Sequence, residues 1–207
     1  MLADPVQLWQ SLAARPDWRD YILPGRSEEA FFEEGRQEAE RLAYFCDAGS
    51  VVVDYGCGIG RIARHLAPRV SRLYCVDVCP PFLEQARQMV PGDNVEFLAP
   101  QEFRLAGKAD LVYCLLVLQH NDAPYRRQIL RQCRRALKKG GRFLANFPRR
   151  ESGYYQESEF VHTFLRREVE AYGRLFRRFR VMEGNLVNYQ SPWDSQEANE
   201  YFLIAEG

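Results

Sequence analysis

Two acids and three glycines define the chemistry open to this chain. In Val51-Val52-Val53-Asp54-Tyr55-Gly56-Cys57-Gly58-Ile59-Gly60 a β-branched run ends in an acid, and glycines follow at alternate positions. Glycine admits backbone angles closed to other residues, and it lets a ligand reach the main chain without meeting a Cβ. Ile59, Ile62, Ala63 and Leu66 continue at helical spacing, so the stretch predicts a buried strand, a tight turn and a helix start. The N–H groups and positive dipole end of such a helix suit a carboxylate or phosphate. A second acid, Asp77, closes the strand-like run Arg72-Leu73-Tyr74-Cys75-Val76 about twenty residues beyond the glycines. A carboxylate there accepts both hydroxyls of a ribose, so turn and acid together point to an adenosine-containing ligand at the carboxyl end of a sheet.

The elements that must position these residues alternate strand and helix. Residues 1 to about 48 read as helical, with Val6, Leu8, Trp9 and Leu12 on one stripe and Ser27 capping a second helix that carries Phe31, Phe32, Gly35, Ala39 and Leu42. Pro80-Pro81 opens a helix through Phe82, Leu83, Ala86 and Met89, and Val95 to Leu98 is a third strand. Leu111 to Leu118 is a near-continuous apolar run, as expected of a central parallel strand buried on both faces. A helix from Asp122 has Ile129, Leu130, Cys133 and Leu137 inward and ends at Gly140-Gly141, and Arg142 to Phe147 is a fifth strand. Its Arg126, Arg127, Arg131, Arg134, Arg135, Lys138 and Lys139 read as a solvated outer face rather than a nucleic-acid patch. Residues 148 to 163 form a long aromatic loop with Tyr154, Tyr155, Phe160 and His162. A helix near Leu165 to Arg174 precedes two strands, Phe179 to Val187 and Glu200 to Ala205, which should pair antiparallel.

The ordered set Asp54-x-Gly56-x-Gly58-x-Gly60, Asp77, Ala109 to His120 and Leu137 to Phe143 resembles the class I, Rossmann-like methyltransferases that use S-adenosyl-L-methionine. The resemblance runs from about Phe31 to the end. It implies an α/β, doubly wound, mostly parallel seven-stranded sheet with an antiparallel C-terminal strand pair and an N-terminal helical cap. Residues 1–48 would be that cap, part of the same domain as the Rossmann-like residues 49–207. It implies methyl transfer to a small-molecule acceptor, with S-adenosyl-L-homocysteine as product. By resemblance Gly56, Cys57 and Gly58 give main chain to the methionine end, Asp77 holds the ribose, and Asp54 shapes the turn. Val78 would lie against the adenine, and Cys114 and Leu115 would line the methionine and methyl region. Relatives often carry an acid after the third strand for the adenine amino group; here Gln101 or Glu102 is the candidate. Arg36 could pair with the cofactor carboxylate or be an exposed helix arginine. His120, at the mouth of the fourth strand, could deprotonate an acceptor, since an ordinary imidazole titrates near neutrality, or it could pack locally.

A chain of 207 residues with 46% hydrophobic content fits one globular domain. Its 28 basic and 28 acidic residues leave no global field for nucleic acid or an anionic membrane, and no stretch is apolar enough to span a bilayer. The six cysteines form no Cys-x-x-Cys and no cluster with histidine, so no metal site is expected and a reducing, cytoplasmic home is. Two rivals stand beside the methyltransferase. Gly58-x-Gly60-x-x-Ala63 satisfies a dinucleotide fingerprint, which leaves a nicotinamide-dependent oxidoreductase open, although the chain lacks any Tyr-x-x-x-Lys pair. A non-catalytic S-adenosylmethionine-binding or partner-regulating protein would keep the same glycines and Asp77.

Overall fold

In the computed structural model, which describes residues 5–158, 160–184 and 198–207, seven strands share one sheet. They are β1 (Val51–Tyr55), β2 (Arg72–Val76), β3 (Val95–Leu98), β4 (Ala109–Cys114), β5 (Leu137–Pro148), β6 (Arg178–Gly184) and β7 (Glu200–Glu206), in the order β3-β2-β1-β4-β5-β7-β6. The expected mixed sheet, parallel but for its C-terminal strands, is present. The chain divides after Arg104 into two compact units.

In the first unit, β1 pairs parallel to β2 from Val51↔Arg72 to Tyr55↔Val76, and β2 pairs parallel to β3. Both β-strand runs end on the same edge, which brings Asp54 and Asp77 to the carboxyl ends of neighbouring strands. The N-terminal segment folds as α1 (Pro5–Ala13), a 3₁₀ turn (Trp18–Tyr21) and α2 (Glu28–Leu42), with the Ser27 hydroxyl accepting from the Ala30 N–H at 3.2 Å. Its tryptophans are packing residues. Trp18 lies edge-on to Phe31 at 5.8 Å and 5.0 Å from Phe82 of α4 (Pro80–Met89), and Trp9 is 6.3 Å from the same ring.

One expectation in this unit is corrected. The helix after the glycines is a single turn, α3 (Ala63–Leu66), which passes at once into a 3₁₀ turn over Ala67–Arg69. Pro68 has no N–H to extend an α-helical ladder. So short a helix supplies little dipole, and anion binding at its start is not available as an explanation of the site.

In the second unit, β4 and β5 are parallel, while β7 runs antiparallel between β5 and β6. The helices α5 (Ala123–Ala136) and α6 (Arg166–Gly173) accompany them. Phe143 stacks on Phe176 at 4.8 Å, and Phe147 meets Phe164 edge-on at 5.1 Å. Three boundaries differ from expectation. α5 stops at Ala136, and Leu137 to Lys139 already belong to β5, because Leu137 pairs with Ala109. Gly141 is required there: a Cβ would lie 2.5 Å from the Ala109 carbonyl oxygen. β4 ends at Cys114 instead of Leu118, since Leu116 takes a positive φ of 58° and Leu118–His120 forms a 3₁₀ turn. Of the expected strand Phe179 to Val187, residues 185–187 lie outside the described residues.

Arg126 also departs from expectation. It is 8% exposed, not solvated: its Nε donates to the Tyr172 hydroxyl at 2.9 Å, its Nη1 donates to the Asn121 carbonyl, and its guanidinium sits over Phe164. Arg127, Arg131, Arg134 and Arg135 do face outward.

Candidate functional site

The glycine turn of the first unit is closed by its own hydrogen bonds. The Gly56 and Cys57 N–H groups both donate to the Val76 carbonyl, at 2.7 and 3.1 Å, and Gly60 N–H donates to the Cys57 carbonyl at 2.9 Å. Gly58 N–H donates to Asp77 Oδ2 at 2.8 Å. The N–H groups of Gly56, Cys57, Gly58 and Gly60 are therefore committed within the turn, and the Cys57 and Gly60 carbonyls are engaged too, accepting from the Gly60 and Arg64 N–H groups.

The glycines divide their work. Gly56 and Gly58 have φ of 88° and 53°, and the side-chain direction at Gly58 meets nothing within 4 Å, leaving open space beside the main chain. Gly60, at φ of 82°, is a packing glycine, because a Cβ there would lie 2.5 Å from Val90 Cγ2. Asp77 is half-buried and also accepts from the Cys79 N–H at 2.9 Å. Lost hydration pushes its carboxyl up to about 6, and the backbone donors oppose that rise only in part. Asp54 is 3% exposed near the end of β1, Cys57 is buried in the turn, and Val78 is half-buried beside Asp77.

Sequence reasoning missed the cation at this turn. Arg61 follows Gly60 and is 6% exposed; its Nη2 lies 2.7 Å from Glu38 Oε2, and its guanidinium sits over the Phe31 ring. Among the described residues, the buried Arg61 Nη1 has no hydrogen-bond partner. Burial pushes the Glu38 carboxyl above its usual range, with Arg61 pulling the other way. A signal was available: Glu34 and Glu38 interrupt the apolar stripe Phe31, Gly35, Ala39 and Leu42, and acids on a buried face need partners. Arg36, by contrast, is held on α2 itself by Glu33 at 2.6 Å and by Glu40. Gln101 and Glu102 are both exposed, and Glu102 Oε2 accepts from the Ala99 N–H at 2.8 Å, capping its own turn.

In the second unit, Cys114 and Leu115 are buried where β4 ends. The strained Leu116 follows, in a region that costs a non-glycine residue about 1–2 kcal/mol. The turn after it is fixed from several sides. Leu116 N–H donates to Asn146 Oδ1 at 2.7 Å, Asn121 Nδ2 donates to the Val117 carbonyl at 2.7 Å, and His162 N–H donates to the Gln119 carbonyl at 2.8 Å. His120 Nδ1 lies 2.7 Å from the Phe160 carbonyl, which makes Nδ1 the protonated nitrogen of the neutral ring. The expectation of a near-neutral imidazole is corrected: burial, with His162 adding to it, pushes His120 down to about 4. The aromatic loop does come to His120, through Phe160 and His162. Tyr155 reaches inward to Glu200 at 2.9 Å, whereas Tyr154 is exposed.

Residues 53–145 match the family model described as a methyltransferase domain. This segment is similar to methyltransferase domains. It holds the glycine turn, Asp77, β4 and His120, and it stops one residue short of Asn146. The chain is 30% identical over 114 residues to the ubiquinone biosynthesis O-methyltransferase of Pseudomonas paraeruginosa, covering 52% of this chain and 48% of that protein. To the enzyme of the same name from Pseudomonas fluorescens it is 29% identical over 140 residues, covering 63% of this chain and 60% of that one. The matches thus span from about half to three-fifths of these relatives' length. The N-methyltransferase NodS from Bradyrhizobium japonicum, solved in complex with S-adenosyl-L-homocysteine, superposes with a TM-score of 0.66 over 98% of this chain and 97% of its own, at 22% identity. That likeness is one of fold, the mixed seven-stranded sheet described above.

Proposed function

We propose that the protein transfers a methyl group from S-adenosyl-L-methionine to a small-molecule acceptor. One observation carries this reading: the Gly56, Cys57 and Gly58 N–H groups are engaged inside the turn, next to the Asp77 carboxylate and shortly before the buried guanidinium of Arg61. A carboxylate for ribose hydroxyls and a cation for a carboxylate suit an adenosylated amino acid. A dinucleotide's pyrophosphate would find those three donors already taken. The open space at Gly58 and the Arg61 Nη1 fit the same ligand.

On this reading the main chain of Gly56, Cys57 and Gly58 and the buried Asp54 receive the ammonium end. Arg61 takes the carboxylate in place of Arg36. Asp77 accepts from the ribose hydroxyls, Val78 borders the adenine, and Gln101 and Glu102 lie at its amino group. Cys114 and Leu115 line the methyl region, and the helices of residues 1–48 act as the cap. The bound sulfonium supplies the reactive methyl group, and the protein's part is to bind, orient and exclude water. His120 is the candidate to receive a proton from the acceptor. Its burial disfavours the imidazolium, so a proton taken there is passed on rather than held. Six cysteines present as thiols support a reducing, cytoplasmic setting. The balanced charge supports a small acceptor rather than nucleic acid. No helix among the described residues is long and apolar enough to cross a membrane.

Turnover tests the reading. The protein is incubated with methyl-tritiated S-adenosyl-L-methionine and a panel of small phenols, carboxylic acids and amines. The expected outcome is label transferred to at least one class, with S-adenosyl-L-homocysteine formed in equal amount. Tight cofactor binding with no transfer to any acceptor would favour the non-catalytic alternative.

A further inference from the structure

Leu116 is the one non-glycine with a positive φ among the described residues. Strain of this kind persists where the surroundings over-determine it, and it gathers at functional sites. Here the surroundings are a polar chain inside the second unit. Leu116 N–H donates to Asn146 Oδ1 at 2.7 Å, and Asn146 Nδ2 donates to Glu200 Oε1 at 3.1 Å. The Tyr155 hydroxyl donates to the same Glu200 oxygen at 2.9 Å. Asn146 and Glu200 are wholly buried, so each of these groups would be costly to leave unmatched. The register puts the chain level with the reacting end of the sheet: Ala145 pairs with Cys114, and Asn146 is the next residue along β5.

We propose that Asn146, Glu200 and Tyr155 are positioning residues for methyl transfer. They hold the Leu116 backbone in its strained form and so set the direction of Cys114 and Leu115, the segment assigned above to the methyl region. This inference rests on the methyl-transfer reading. Tyr155 gives the relay a second consequence. It stands in the loop between β5 and α6, and it is half-buried, so the position of that loop is coupled to the end of β4. A shift of the loop removes one donor from Glu200, loosens Asn146 and lets Leu116 relax. In-line displacement tolerates little misplacement of the reacting groups, so a small relaxation there matters.

Tyr155→Phe, Asn146→Ala, Glu200→Ala and Glu200→Gln, each in the full chain, test the proposal with S-adenosyl-L-homocysteine as probe. Calorimetry reads the affinity, and hydrogen exchange reads residues 114–118. The expected result is affinity weakened about fivefold or more in Tyr155→Phe, Asn146→Ala and Glu200→Ala, with exchange about tenfold faster confined to 114–118. Glu200→Gln keeps an oxygen for both donors and should stay within about twofold of the unaltered chain. Unchanged exchange at 114–118, or faster exchange with unchanged affinity, overturns the proposal. So does faster exchange spread through β5 and β7, which marks a merely structural role. If the alanine variants fail to fold, Tyr155→Phe, which deletes one hydroxyl, decides the matter. Failure of the unaltered chain to bind S-adenosyl-L-homocysteine removes the methyl-transfer reading and this inference with it. Binding by the unaltered chain with unaffected variants removes this inference alone.

Discussion

Asp77 is asked to be an acceptor for ribose hydroxyls, yet its carboxyl is pushed up from 3.8 to about 6. The sign of the consequence follows from linkage. A raised folded-state value means the folded protein favours the protonated acid, so this group's stabilising contribution is present at low pH and lost as pH rises through about 6. Ribose donors favour the opposite, ionised form, so cofactor binding should pull the value back down. Affinity for S-adenosyl-L-homocysteine is therefore expected to improve roughly tenfold from about pH 5 to about pH 7.5 and to level off above that. Titration calorimetry across that range checks it, and an affinity that is flat or falls with pH would remove Asp77 from the ribose. At this scale the acids were legible because carboxylates are rare in buried strands, and the glycines because three alternate directly after one. The direction of the glycine N–H groups was not, since alternation alone does not say whether a donor points inward or at a ligand. The lowered His120 was not legible either, because it depends on burial beneath a loop more than thirty residues away in the chain.

The helix α2 is tied to the glycine turn by the Arg61–Glu38 pair and by the close approach of Gly35, where a Cβ would lie 2.6 Å from the Arg61 carbonyl oxygen. With side chains only 8% and 2% exposed, this is a buried ion pair, and removing one partner leaves the other charge uncompensated. Glu38→Ala is expected to destabilise the protein by about 3–5 kcal/mol in urea unfolding, and Arg61→Met with Glu38→Leu should recover most of that loss. A cost below about 1 kcal/mol for Glu38→Ala would show that the pair does not hold the turn. The strand and helix alternation was readable from periodicity, including the antiparallel C-terminal pairing. Two element ends were not. The apolar run Leu111 to Leu118 conceals the break at Leu116, which a buried amide from another strand imposes. The apolar stripe of α5 continues to Leu137, yet Leu137 pairs with Ala109 and already belongs to β5. Asn146 was a signal passed over: an amide inside Phe143-Leu144-Ala145-Asn146-Phe147 has to be matched by something.

At the scale of the whole chain, a mixed seven-stranded sheet carries a turn whose polar groups, on the reading proposed above, fit an adenosylated amino acid better than a dinucleotide. The fold alone does not make that choice, since the same sheet edge serves both ligand types. The choice rests on which backbone donors the turn already engages, together with Asp77 and Arg61. Titration calorimetry of the full chain with S-adenosyl-L-homocysteine, and separately with NAD and NADP, tests this most directly. The account predicts saturable binding of S-adenosyl-L-homocysteine and no measurable heat from either dinucleotide. Binding of NAD or NADP without binding of S-adenosyl-L-homocysteine would contradict it.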